Sequence, residues 1–229
     1  MLDKKPGDFD ILNPELSEER LIECAINIFG VLASAKRCRL LAFLAENPEA
    51  TVEAVSRALQ AKSVQADLLL LTVSGLVTRT WSIRYRYTVA VKAPAVLMAA
   101  FRVVFGAPRR SSLIVLLRES QHVSLRVLSL LRQPNSVDIL QTLRNSSGPI
   151  GRIELQASVC LEQSSLSVAI AKLMAGGIVG GVPTKRRRKG ESRIVYTLKD
   201  HTPLLVKLLF DIGMKADAIN ELINPKTKE

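Results

Sequence analysis

Five consecutive bases, Lys185, Arg186, Arg187, Arg188 and Lys189, followed by Arg193 with one acid, Glu191, between them, are the most concentrated chemistry in this chain. Like charges held this close repel one another and cost stability unless a polyanion neutralises them. Lys and Arg that meet phosphates displace condensed counterions, and an arginine entering a narrow groove gains from its negative potential. The run points to nucleic acid, with a solvated loop and a nuclear-import tag as the plainer alternatives. The whole chain has the same sign: its 229 residues carry 32 Lys and Arg against 21 Asp and Glu, a formal net charge of +11. Residues 126–199 hold twelve bases and four acids, so +8 of that excess lies in one stretch. A basic balance of this size favours nucleic acid first and an anionic surface second, and says nothing about fold.

Other chemistry is thin. His122 and His201 stand alone in the sequence, and no Gly-rich phosphate loop or nucleophile elbow is present. Gly176-Gly177 and Gly180-Gly181 lack the Lys-Ser/Thr that completes a phosphate cradle and mark a helix end and a strand start instead. Glu18-Glu19 are most simply solvated. Cys24, Cys38 and Cys160 are scattered, with no C-x-x-C spacing, and read as buried thiols in a reducing compartment. The expectation is a non-enzyme with no metal and no cofactor. The longest apolar stretch, 93–107, is interrupted by Arg102 and falls short of the roughly 18–20 residues a membrane span needs. Residues 1–10 lack the apolar core of a secretory signal. A cytoplasmic, nucleoid-associated protein with no membrane partner follows as the expectation.

The elements that must position the basic run emerge from a repeat. Tyr87-Thr-Val-Ala-Val-Lys-Ala-Pro94 resembles Tyr196-Thr-Leu-Lys-Asp-His-Thr-Pro203 at an offset of 109; Gly75-Leu-Val77 answers Gly177-Ile-Val179 at 102; Leu40–Leu44 answers Ile139–Leu143 at 99. An offset that grows stepwise means matching elements joined by loops of different length. The chain then divides into an acidic leader (1–20), a first unit (21–106), a connecting helix (107–119, with 113–118 apolar), a second unit (120–214) and a C-terminal tail (215–229). In the second unit, apolar residues at three- and four-residue spacing predict helices over 123–132, 137–145, 151–159 and 163–175. Two short β-branched stretches, 178–183 and 193–198, flank the basic loop as a hairpin, and an amphipathic helix closes the unit from Pro203 to Met214. The fold class is mainly α with small β-hairpins.

Helix, helix, helix pair, hairpin, helix is the winged-helix order. The residues Leu155-x-x-x-Val159, Gln163-Ser-Ser-Leu-Ser-Val-Ala-Ile-Ala-Lys-Leu173, Gly176-Gly-Ile-Val179 and Ile194-Val-Tyr-Thr-Leu198 resemble winged helix-turn-helix transcription regulators of the arsenic-repressor and multiple-antibiotic-resistance-repressor types. The likeness covers the second unit well and the first more loosely, so tandem winged-helix domains are expected. The paired cysteines of metal-sensing arsenic-type repressors are absent, and metal sensing is not implied.

The resemblance puts the helix over 163–175 in a DNA major groove and the basic loop, as the wing, on the backbone or minor groove. At 100° per residue Leu166, Ile170 and Leu173 face the core. Ser164, Ser165, Ser167, Val168 and Ala171, with Lys172 at the flank, face outward. Ser hydroxyls and small apolar groups suit modest base readout; a merely solvated face is the alternative. In the first unit the corresponding outward positions become Leu69 and Leu70, an apolar surface that suits a dimerisation or docking face, unless the helix phase is wrong and these are core. Its short hairpin carries Arg79, Arg84 and Arg86, which with Lys62 are auxiliary DNA contacts on a second reading. Trp81 is expected to pack on the core rather than stack on a partner. The turn before the first-unit helix is expected to be two residues shorter than its counterpart.

Three functions are compatible with these residues. A transcription regulator gripping duplex DNA as a homodimer leads. A replication-initiation or partition protein built as a tandem pseudo-dimer follows, and a protein-docking subunit of a chromosome or transcription complex is third.

Overall fold

Two positions show how the sequence punctuates the chain. Gly75 and Gly177 take φ of +74° and +73°, in the left-handed region that a side chain disfavours. Each ends a helix the same way: Leu76 N–H donates to Leu71 O and Gly75 N–H to Thr72 O, while Ile178 N–H donates to Leu173 O and Gly177 N–H to Met174 O. This paired closure satisfies the last carbonyls and turns the chain into a strand. The recurrence of one stop signal at an offset of 102 means the sequence repeat is also a structural one.

The structure is a computed structural model and describes residues 10–108, 121–184 and 194–225. The basic run 185–189 with Arg193, and the helix expected over 113–118, lie outside the described residues. The first set of elements is α1 (Glu18–Leu32), α2 (Ala35–Glu46), β1 (Ala50–Thr51), α3 (Val52–Leu59), α4 (Val64–Val73), β2 (Val77–Trp81), β3 (Tyr85–Val89) and α5 (Ala93–Phe105). The second is α6 (Gln121–Leu131), α7 (Pro134–Asn145), β4 (Ile150–Gly151), α8 (Arg152–Val159), α9 (Gln163–Ala175), β5 (Val179–Pro183), β6 (Ile194–Leu198) and α10 (Thr202–Asp211), followed by α11 (Ala216–Ile223). The fold is mainly helical with two small antiparallel sheets, ordered β1-β3-β2 and β4-β6-β5. Their registers correspond: Ala50 pairs with Tyr87 and Ile150 with Tyr196, and both tyrosines are buried.

Helix starts follow local chemistry. Ser17 Oγ accepts from Arg20 N–H at 3.4 Å and caps α1, whose first turn carries Glu18 and Glu19 where the helix dipole favours acids. Thr51 Oγ1 caps α3 by accepting from Ala54 N–H at 3.3 Å. The acidic leader is not all solvent-facing: Ile11 is buried and Leu16 packs on the core.

The two sets of elements share one core. Helix α1 packs against α5, and also against α6 and α7 of the second set, while α5 reaches α7 and α10. Arg144, on α7, donates through Nη1 to Val103 O (2.6 Å) and Arg102 O (3.2 Å), closing the carbonyl end of α5. Phe101 and Phe105 tilt together at 4.6 Å, and Phe105 meets the His201 ring at 5.0 Å. His201 Nε2 is 3.1 Å from Ile178 O, a loop-holding contact.

Several expectations are corrected. Residues 216–223, in the segment read as tail, form α11, with Ile219 and Ile223 buried. Trp81 is not core: it is 68% exposed. Of the cysteines only Cys24 is buried, Cys38 is half-buried and Cys160 exposed. The turn before α4 spans residues 60–63 and that before α9 spans 160–162, so the first-unit turn is longer, not shorter. The difference arises because α9 begins three residues earlier relative to its core positions, adding a first turn of Gln163, Ser164 and Ser165 that α4 lacks.

Candidate nucleic-acid interface

Helix α9 buries Leu166, Ile170 and Leu173 and presents Ser164, Ser165, Val168, Ala171 and Lys172 to solvent. Ser167 is half-buried, and its hydroxyl is engaged, donating to Gln163 O at 2.5 Å and accepting from Arg152 Nη2. Arg152, at the start of α8, also reaches Gln163 O at 3.4 Å, which fixes its guanidinium beside the first turn of α9. The exposed face therefore combines small hydroxyl and aliphatic groups with the exposed Lys172 toward one end and the half-buried Arg152 beside the other. Small side chains let a helix backbone approach a surface closely, and the cations suit phosphates on either side.

Strands β5 and β6 stand beside this helix. The register Val179–Leu198 through Pro183–Ile194 places Pro183 and Ile194 as the last pair of the hairpin. Lys185, Arg186, Arg187, Arg188, Lys189 and Arg193 lie between these two anchors in sequence, outside the described residues.

The first set differs at each equivalent point. Asp67 occupies the first turn of α4 and pairs with Lys36 Nζ at 2.7 Å and Arg37 Nη1 at 3.5 Å, putting an acid where α9 has Ala169. Leu69 and Leu70 are 46% and 42% exposed, so both lie outside the core while Val64, Leu68 and Leu71 fill it. Lys62 is exposed, with its backbone carbonyl held by Lys36 Nζ at 2.9 Å. On the hairpin, Arg79 lies over the Tyr85 ring at 4.3 Å. Arg86 is 3.5 Å from Glu49, and both are substantially exposed. Glu53 has its carboxyl held below the usual range by a hydrogen bond from its own backbone amide, then by the Thr51 hydroxyl; slight burial opposes this and Arg84 adds to it. Lys62, Arg79, Arg84 and Arg86 are thus exposed, and two of the three hairpin arginines have a carboxylate neighbour.

Sequence reading missed Arg152 and the outward Trp81, Ile83 and Tyr85. The signal for Arg152 was a base in a helix's first residue, where the dipole disfavours it, so a tertiary role must hold it there. Among the described residues no His, Cys, Asp and Glu side chains gather as a metal site requires, and no helix is long and apolar enough to cross a membrane. Comparison with protein-family models, with curated proteins and with solved structures gives no match for this chain.

Proposed function

We propose that this protein is a DNA-binding transcription regulator, not an enzyme, built from two winged helix-turn-helix units, of which the second grips duplex DNA. The observation that carries this reading is the small, cation-flanked outer face of α9 beside a hairpin whose open end is bridged in sequence by five consecutive bases. In this account α9 enters the major groove with Ser164, Ser165, Val168 and Ala171 toward base edges. Lys172 and Arg152 meet phosphates, and Lys185–Lys189 with Arg193 act as the wing. Ser167 serves indirectly, by holding Arg152. The exposed Leu69 and Leu70 form the contact with a second copy in a homodimer, since an apolar pair on a helix face buries more readily against protein than in a polar groove. The cytoplasm, at the nucleoid, is the corresponding location. A footprint of the full chain on duplex DNA selected from random sequence tests it: protection should persist under excess non-specific competitor, and protection that vanishes with competitor refutes sequence preference.

One observation favours a second reading, a replication-initiation or partition role. The shared core fixes two related units in one chain, as two half-sites about one helical turn (roughly 34–36 Å) apart would require. Cooperative binding to iterated sites, against simple binding to one, separates it from the first.

A further inference from the structure

The first-unit hairpin leaves its most adhesive side chains in solvent. Pairing of Val77 with Val89, Arg79 with Tyr87 and Trp81 with Tyr85 puts all six on one face, because alternate residues of a strand share a side. Near the body this face is core, with Val77 and Tyr87 buried; further out the same face carries Arg79, Trp81 and the exposed Tyr85. The tip, closed by Ser82 N–H donating to Arg84 O at 3.2 Å, carries Ile83 at 92% exposure. Trp81 and Tyr85 meet at 4.6 Å with planes 66° apart, an edge contact that does not stack one ring face on the other. Arg79, on the same side of the hairpin, lies over one face of the Tyr85 ring at 4.3 Å.

The charge around these rings chooses the partner. Residues 77–89 contain three arginines and no acid, with hydroxyls at Thr78, Thr80, Ser82 and Thr88. The neighbouring carboxylates, Glu49 by Arg86 and Glu53 near Arg84, lie in the turn before β1 and on α3 rather than on the hairpin. Aromatic faces interleaved with arginines are the composition that takes nucleobases between phosphates. A paired duplex hides those faces within its stack and offers only base edges, so rings projecting from a narrow tip match bases that are unpaired. An exposed isoleucine beside them is the kind of side chain that enters a base step as a wedge.

We propose that the first-unit hairpin binds unpaired bases of DNA, stacking them on Trp81 and Tyr85, with Ile83 entering the opened step and Arg79, Arg84 and Arg86 meeting the flanking phosphates. This rests on the DNA-binding reading and sharpens it: the preferred substrate is a duplex with an opened stretch, held by the second unit on its paired part and by the first on its unpaired part.

Trp81 is the only tryptophan in the chain, so the hairpin carries its own reporter. The full-length protein is titrated with oligothymidylate of roughly 15 nucleotides, near the upper site size of single-strand-binding modules, with a plain duplex, and with that duplex carrying a central mismatched bubble. Trp81 emission should be quenched by the oligothymidylate and the bubble and hardly changed by the plain duplex. By anisotropy of labelled DNA, Trp81→Ala and Tyr85→Ala should each weaken bubble binding by roughly 5- to 150-fold, from one lost stack. Trp81→Phe should restore most of it, and plain-duplex affinity should stay within about twofold in every variant. Equal affinity for bubble and duplex, with unchanged emission, overturns this inference and leaves the duplex-binding reading standing; absence of binding to any DNA overturns both. A change of oligomeric mass in Trp81→Ala assigns the patch to protein contact instead, and quenching by anionic vesicles without DNA assigns it to a lipid surface.

Discussion

Replacing Phe101 by alanine asks whether the two repeated units are one folding unit. Phe101 is 1% exposed, lies on α5, and tilts against Phe105 at 4.6 Å. Helix α5 packs on α1 and also on α7 and α10, so the cavity left by the ring opens at the junction and not inside one unit. Loss of a buried Phe costs about 3–5 kcal/mol, a large share of the 5–15 kcal/mol by which domains are typically stable. For a chain of this length each kcal/mol moves the midpoint by about 2–4 °C, giving a fall of roughly 6–20 °C. Unfolding in guanidinium is followed by far-UV circular dichroism, which reports all helices, and by labelling of the Cys24 thiol, which is buried on α1 and becomes reactive only when the first unit opens. The two curves should coincide in the wild type and in Phe101→Ala, with a lower midpoint and an unchanged slope in the variant. Helical signal surviving past the exposure of Cys24, or a loss below about 1 kcal/mol, refutes the shared core as the source of coupling.

Leu69→Glu with Leu70→Glu should leave the helical signal intact, because both side chains are already half-exposed, and should convert a dimer to a monomer in light scattering. Unchanged mass removes the interface, and unfolding would mean that the pair is core. The thiols should separate by reactivity at pH 8, with exposed Cys160 modified quickly and Cys24 and Cys38 slowly. The Cys38 thiol is pushed up to about 11, first by burial and then by the Asp211 carboxylate, with Arg37 opposing. Its thiolate is therefore scarce at pH 8, and its labelling rate should climb toward pH 11. Because the folded state holds that proton more tightly, the associated stability is present below the ordinary value of 9.0 and is lost as pH rises from there to about 11. Asp211→Asn should lower the Cys38 value and speed its labelling; equal rates for Cys38 and Cys160 at pH 8 would contradict the packing between α2 and α10.

Much of this architecture was legible in the sequence because each repeated feature had a local cause. Gly75 and Gly177 mark helix ends that need positive φ, and Tyr87 and Tyr196 mark the central strand of each sheet. Leu166, Ile170 and Leu173 recur at helical spacing, so the outer face of α9 followed by subtraction. What escaped was too short or too charged for its periodicity to stand out. Strands β1 and β4 are two residues long, too short for alternation to register. Helix α11 stands after Gly213, in a stretch whose mixed charges read as tail, and Ile219, Leu222 and Ile223 anchor it on the core. The turn lengths misled because core positions align at an offset of 102 while α9 extends further toward its N-terminus than α4 does. Trp81 misled for a different reason: a lone aromatic in a strand is usually worth burying, and only the register shows that its position lies beyond the body of the sheet. Arg152 was visible only as a helix-start base, and its role needed the distance to Gln163 and the contact with Ser167.

The central claim, that the second unit grips duplex DNA through its basic run, is tested most directly by salt dependence. Anisotropy of a labelled duplex is measured across ionic strength for the wild type and for the protein carrying Lys185→Ala, Arg186→Ala, Arg187→Ala, Arg188→Ala and Lys189→Ala. If all five bases meet phosphates, the slope of log K against log salt should lose about 4.5, at roughly 0.9 per neutralised phosphate, and affinity at low salt should fall by several orders of magnitude. The same slope and the same affinity in both proteins would contradict it.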